Sequence, residues 1–144
     1  MSRTTAADLD LAAALRISVA RLHRRLRAQR PDSGLSLTQI ALLATLQRHG
    51  PASPTALAEH EKVQPPSMTR ALSSLEARGL VDRLPHPSDR RQVLIRLTEQ
   101  GEALLSEDRR RREAWLSQRL ADLSTEELEA LRAAAPVLER LAQS

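Results

Sequence analysis

The sequence contains no cysteine, no phenylalanine and no tyrosine, and it has one tryptophan and four glycines in 144 residues. Without cysteine there are no disulfides, no thiol catalysis, no thiolate metal sites and no cysteine-based redox sensing. With almost no aromatic rings, a core has to be filled by Leu, Ile, Val, Met and Ala. The scattered glycines form no phosphate-binding loop. Neither a His–Glu metal-binding helix motif nor a nucleophile elbow occurs, so an enzyme reading finds no residues to rest on. No apolar run approaches the ~18 residues of a membrane span. The opening "MSRTTAADLD" is polar and lacks the hydrophobic segment of a secretory signal. These features lead us to expect a cytoplasmic protein with no membrane partner. The four histidines (His23, His49, His60, His86) show no ligand-like spacing beyond the adjacent pair His60–Glu61, so no metal and no cofactor are expected.

What is present is helix-forming and basic. Apolar residues make up 41% and charged residues 28%, the balance of a globular chain, and the apolar share is mostly Leu and Ala. The net charge is +4, unevenly spread. Residues 1–30 carry seven Arg against two Asp, and residues 60–96 carry seven basic against four acidic residues. Residues 97–144 reverse the balance, with seven Arg against ten acids. A basic middle suggests an anionic partner, nucleic acid first, although an Arg-rich coding bias would give the same composition.

Apolar residues at Leu11, Leu15, Val19, Leu22 and Leu26 predict a helix over 8–30, ended by Pro31, Asp32 and Gly34. A second helix is predicted over 37–49 through Ile40, Leu43 and Leu46, closing at Gly50–Pro51. Ser53 as cap and Pro54 at the first helical position open a short third helix to about His60. A fourth begins at Pro65 and Pro66, which fit only a first turn, and Gly79 follows its end. "LVDRL" and "VLIRLT" read as short strands, with "PHPSD" as the turn between them. Thr98 caps a long helix over 99–121. Ser124 and Glu127 form a capping box for a last helix with apolar positions Leu128, Leu131, Ala135, Leu138 and Ala142. Pro136 predicts a kink within it. The fold class is therefore mainly α with a small two-stranded β wing.

Two short helices, a turn and a helix that begins with small polar residues make a helix-turn-helix pattern. In the fourth helix Met68, Leu72 and Leu75 share one face, and Arg70 points away from it. Ser67, Thr69, Ser73 and Ser74 leave the outer side slim and polar, a shape that fits a major groove. Arg70 there can bond guanine bidentately, worth about 1–3 kcal/mol of discrimination. On the hairpin tip, Arg91 can reach a minor groove. Asp89 can orient its guanidinium before DNA arrives, and Arg90 adds charge. His86, if protonated, would add further attraction.

"SMTRALSSLEARGLVDRLPHPSDRRQVLIRLTEQG" (residues 67–101) resembles the winged helix-turn-helix of the MarR family of bacterial regulators. The wing carries the family's Asp-x-Arg followed by Leu-Thr, at Asp89, Arg91, Leu97 and Thr98. The resemblance implies one domain over 1–144, with a winged DNA-binding lobe at 36–98 between dimerisation helices at 8–30 and 99–144. It implies a homodimer on a double-stranded, pseudo-palindromic operator. DNA contacts would fall on Ser67, Thr69, Arg70, Ser73, Ser74, Asp89, Arg90 and Arg91. The family also implies a repressor released, as many members are, by a small, often phenolic or lipophilic anion held between the DNA-binding lobe and the dimerisation helices. The chain departs from such a pocket in having no Tyr or Phe to stack on a ring. Trp115 is the aromatic candidate, with Arg16, Arg24 or the Arg run 109–112 as the cation. The competing reading is a winged-helix module that binds protein, or an antagonist that heterodimerises. It would call for an apolar patch on the fourth helix, and the sequence offers none there.

Overall fold

A computed structural model describes residues 4–30 and 33–144. The order is α1 (Ala6–Arg27), α2 (Leu37–His49), α3 (Pro54–Glu61), α4 (Pro65–Ala77), β1 (Val81–Pro85), β2 (Val93–Leu97), α5 (Glu99–Leu120) and α6 (Thr125–Gln143). It forms two compact units, Pro31–Arg109 and Met1–Arg30 with Arg110–Ser144.

The core of the first unit is aliphatic, as the lack of rings requires. Leu42, Leu43 and Leu46 of α2 meet Leu57 and Ala58 of α3, Met68, Leu72 and Leu75 of α4, and Leu80, Val81, Ile95 and Leu105. Leu42 is fully buried, and the expected Ile40 is only half-buried. Ser36 and Gln39 form a capping box at the start of α2. Ser53 caps α3 by accepting the Ala56 N–H at 3.1 Å.

The end of α4 explains why glycine follows it. Gly79 has φ +73°, and its N–H donates to the Glu76 carbonyl (3.0 Å) while the Leu80 N–H donates to that of Leu75 (3.0 Å). This paired closure needs a left-handed residue. The chain then enters β1, which pairs antiparallel with β2 from Val81↔Leu97 to Pro85↔Val93. Pro85 was expected in the turn but ends the strand, a position where a missing N–H is tolerated. Ala52 adds a bridge to Ile95, each N–H donating to the other's carbonyl. That isolated bridge has no signal in "GPASP".

Thr98 joins three elements. Its hydroxyl donates to the Gly79 carbonyl (2.6 Å) and accepts the Gly101 N–H (3.1 Å), and its own N–H donates to the Leu80 carbonyl (3.1 Å). Gly101, in the first turn of α5, lies so close to β1 that a Cβ would overlap the Leu80 carbonyl oxygen and the Leu97 side chain.

The second unit has different packing. α1 starts at Ala6 rather than 8, because Thr5 and Asp8 form a capping box. The Thr5 N–H and hydroxyl, in that order of importance, hold the Asp8 carboxyl below its ordinary range. The helix ends at Arg27, followed by tight turns in which Gln29 N–H donates to Leu26 and Arg30 N–H to Arg27. Pro31 and Asp32 of the expected stop signal lie outside the described residues. Ser124 and Glu127 form the capping box of α6, which runs through Pro136 although the prolyl nitrogen cannot donate to the Arg132 carbonyl. Neither α1 nor α6 contains a buried residue. Leu11, Val19, Leu22, Leu131, Leu138 and Leu141 are all exposed. No helix among the described residues is long and apolar enough to cross a membrane.

Candidate nucleic-acid interface

The outward face of α4 is built by its inward one. Met68, Leu72 and Leu75, at 0–2% exposure, lock the helix rotation. Ser67, Thr69, Arg70, Ser73 and Ser74 are then all exposed. No acidic group pairs with Arg70 among the described residues, so its guanidinium fork is available. Thr69 is more committed: its hydroxyl donates to the Pro65 carbonyl at 3.0 Å. Its oxygen can still accept, and its methyl can meet a thymine methyl. The helix start is poorer in donors than a usual N-terminus. Two of its first positions are Pro65 and Pro66, and Gln64 makes no side-chain cap bond.

The wing tip is organised mainly through its backbone. Asp89 Oδ1 accepts the Arg91 N–H at 3.0 Å, and Oδ2 accepts the Gln92 side-chain amide at 3.3 Å. The Arg91 guanidinium lies 3.5 Å from Asp89, and its side chain is 93% exposed. Asp89 therefore shapes the turn that presents Arg91 and also forms the ion pair with its guanidinium, at 3.5 Å. Arg90 is exposed.

His86 takes part in the same turn. Its Nδ1 accepts the Ser88 N–H (3.2 Å) and the Asp89 N–H (3.0 Å). The imidazole nitrogen is an acceptor within the turn.

Two ion pairs brace the wing. The Arg96 guanidinium bonds both oxygens of Asp82 across the strands (2.9 and 2.6 Å). This bond, more than general charge attraction, holds the Asp82 carboxyl below its ordinary range. Arg83 Nε donates to Glu76 Oε2 at 2.7 Å, tying β1 to α4. Sequence reasoning missed these braces, because side-chain partners across a hairpin depend on register. It also passed over Lys62, which is exposed with φ 53° in the turn just before α4. Its position as the sole lysine, three residues before Pro65, was the available signal.

A sequence profile of the MarR family matches residues 35–93. An HTH-type transcriptional regulator of Mycobacterium tuberculosis is 47% identical over 131 residues, covering 91% of this chain and 92% of that protein. The chain belongs to the MarR family. The MarR-type fold extends along the whole molecule: the crystal structure of a transcriptional regulator from Pseudomonas aeruginosa matches with a TM-score of 0.84 at 35% identity, covering 97% of this chain and 99% of that one. The repressor MdtR of Bacillus subtilis is 28% identical over 134 residues, covering 90% of this chain and 84% of its own. The protein is thus a DNA-binding transcription regulator of the MarR family and not an enzyme.

The two residues expected at an effector pocket do not meet. Trp115 is half-buried on α5, with the Arg25 and Arg119 guanidinium carbons 5.3 and 5.2 Å from its ring centroid. It lines a hollow of about 290 Å³ with Gln29, Arg110, Arg111, Ala114 and Gln118, so two residues of the Arg run 109–112 border the same hollow. Arg16 lines a separate, largely apolar groove of about 810 Å³ with Leu15, Val19, Leu138 and Leu141. His60 Nδ1 lies 3.2 Å from Glu61 Oε1. The described residues contain no group of three His, Cys, Asp or Glu able to hold a metal.

Proposed function

We propose that the chain is a homodimeric, cytoplasmic repressor that reads a pseudo-palindromic operator with two copies of α4 and grips the flanking grooves with two wings. The observation that carries this reading is the outer face of α4, where Ser67, Thr69, Arg70, Ser73 and Ser74 are exposed and no large apolar residue is. A protein-docking helix would carry one. Arg70, Ser73 and Ser74 read base edges. Ser67 and Thr69 contact the backbone or adjacent bases, Arg91 enters the minor groove on the turn made by Asp89, and Arg90 neutralises phosphate.

The apolar faces of α1 and α6 support the homodimer, since a second copy would bury Leu11, Val19, Leu131 and Leu138 together. MdtR, a relative along most of the chain, is named a repressor. Repression would follow from occlusion of a promoter. A small anionic effector would lodge at Trp115 beside Arg25 and change the separation of the two recognition helices. Arg16, in the apolar groove, belongs instead to the dimer surface.

The test is binding of the purified protein to a labelled duplex from the region upstream of its own gene, against scrambled DNA, over a salt series. Preference for the upstream duplex with a shallower salt slope supports base readout. Arg91→Ala is expected to cost about 1–3 kcal/mol of that affinity with the dimer intact. Unchanged affinity removes the wing from the interface. Weak, equal binding to both duplexes that vanishes with salt counts against the operator reading.

A further inference from the structure

The wing tip holds one ionisable group whose neutral form is built into the fold. His86 Nδ1 lies 3.2 Å from the Ser88 amide nitrogen and 3.0 Å from that of Asp89, with the Ser88 hydroxyl at 3.4 Å. A backbone N–H can only donate, so Nδ1 must carry the lone pair and the ring proton must sit on Nε2. The rest of the tip closes on this turn. The Gln92 N–H donates to the Asp89 carbonyl (3.1 Å), and the His86 N–H to the Gln92 carbonyl (3.4 Å). Asp89 then receives the Arg91 N–H. His86 therefore orders the first half of the tip and Asp89 the second, and Arg91 emerges from their junction.

Accepting the amides two and three residues ahead is ordinarily the task of Asn, Asp or Ser in a turn. A histidine performs it with an atom that a proton converts from acceptor to donor. We propose that His86 is a positioning residue of the wing, and that its protonation opens the tip and weakens DNA binding at mildly acid pH. This rests on the reading of the wing as a DNA contact.

The surrounding charges bear on the sign. On the tip itself, Asp89 favours an imidazolium, and Arg90 and Arg91 oppose it. On the strands that carry the tip, Asp82 is paired with Arg96, and Arg83 with Glu76 of α4. Bound phosphates would favour the imidazolium. Simple attraction to DNA therefore predicts tighter binding on acidification, whereas loss of the turn predicts weaker binding.

The experiment compares the full-length protein with His86→Asn, which retains an acceptor that does not titrate, and His86→Ala, which has none. The probe is a duplex that the unaltered protein enriches from a randomised library, measured at constant ionic strength at about pH 8 and about pH 5.5, across the range in which imidazoles titrate. At the higher pH, His86→Asn should match the unaltered protein, and His86→Ala should bind about five- to tenfold more weakly, the loss of roughly one hydrogen bond. At the lower pH the unaltered protein should fall by a similar factor relative to His86→Asn. Equal affinity of His86→Ala at about pH 8 overturns the positioning role. Parallel behaviour of the unaltered protein and His86→Asn, or a relative gain on acidification, overturns the switch.

A DNA-free arm separates this proposal from the wing reading. In 15N NMR of the free protein, Nδ1 should be the unprotonated nitrogen, and the Ser88 and Asp89 amides should shift together with the titration of the ring. Amides that ignore that titration overturn the proposal even if DNA is bound. Amides that follow it, in a protein that binds no duplex, place the failure in the DNA reading.

Discussion

The winged lobe and the terminal helices solve opposite problems with the same aliphatic alphabet. In the lobe, α2, α3, α4 and the hairpin close twelve buried residues around Leu42, Leu43 and Leu75. In α1 and α6 no residue is buried, and leucines stand at 41–59% exposure at positions such as Leu138 and Leu11. Burying one such side chain is worth roughly 1.5–3 kcal/mol, so this solvent-facing row is the surface that the proposed homodimer would cover. The lobe owes its shape to its own contacts. The terminal helices have the pattern of half an interface.

The sharpest way to break this contrast is Leu138→Asp. A charge in the shared seam would be desolvated without a partner, and the protein is expected to sediment as a monomer at micromolar concentration. Amide exchange at Leu42 and Leu75 should remain slow, because the lobe does not depend on that seam. A stable mutant dimer would count against the α6 surface, and fast lobe exchange would count against a self-sufficient lobe.

A smaller effect, confined to the lobe, is expected for Gly101→Ala. The added Cβ has no room against the Leu80 carbonyl, and overpacking of this kind costs about 1–3 kcal/mol. Urea unfolding measures it. A neutral result would mean that the junction of α5 with β1 yields easily, and that the lobe is less tightly specified than its burial suggests.

The smallest is Glu76→Gln, which removes the charge facing Arg83. Both side chains are about two-fifths exposed, so the stability loss should be only about 0.2–1 kcal/mol, read in the same unfolding assay. A much larger loss would make the α4–β1 tie a principal support of the lobe.

Much of the geometry of the candidate site was legible because it obeys local rules. The 4–3 spacing of Met68, Leu72 and Leu75 placed Arg70 and the serines outward. Caps at Ser53, Thr98 and Ser124 marked helix starts within a residue or so. The details that went astray depend on three-dimensional neighbours. Pro85 joined β1 because its partner Val93 needs nothing from its missing N–H. Asp89 accepts the Arg91 amide as well as facing its guanidinium, because the tip brings that N–H to 3.0 Å. Trp115 and Arg16 lie in different hollows, a separation that no spacing along the chain encodes.

By itself, the sequence determined the helix order, the wing, the absence of thiol chemistry and the polar outer face of α4, because each follows from periodicity, capping or composition within a few residues. Only the tertiary structure decided that Thr98 joins three elements, that Gly101 must be bare, and that His86 serves as an acceptor. These depend on backbone amides and carbonyls brought together by the folded path, and every residue carries the same backbone amide and carbonyl whatever its side chain.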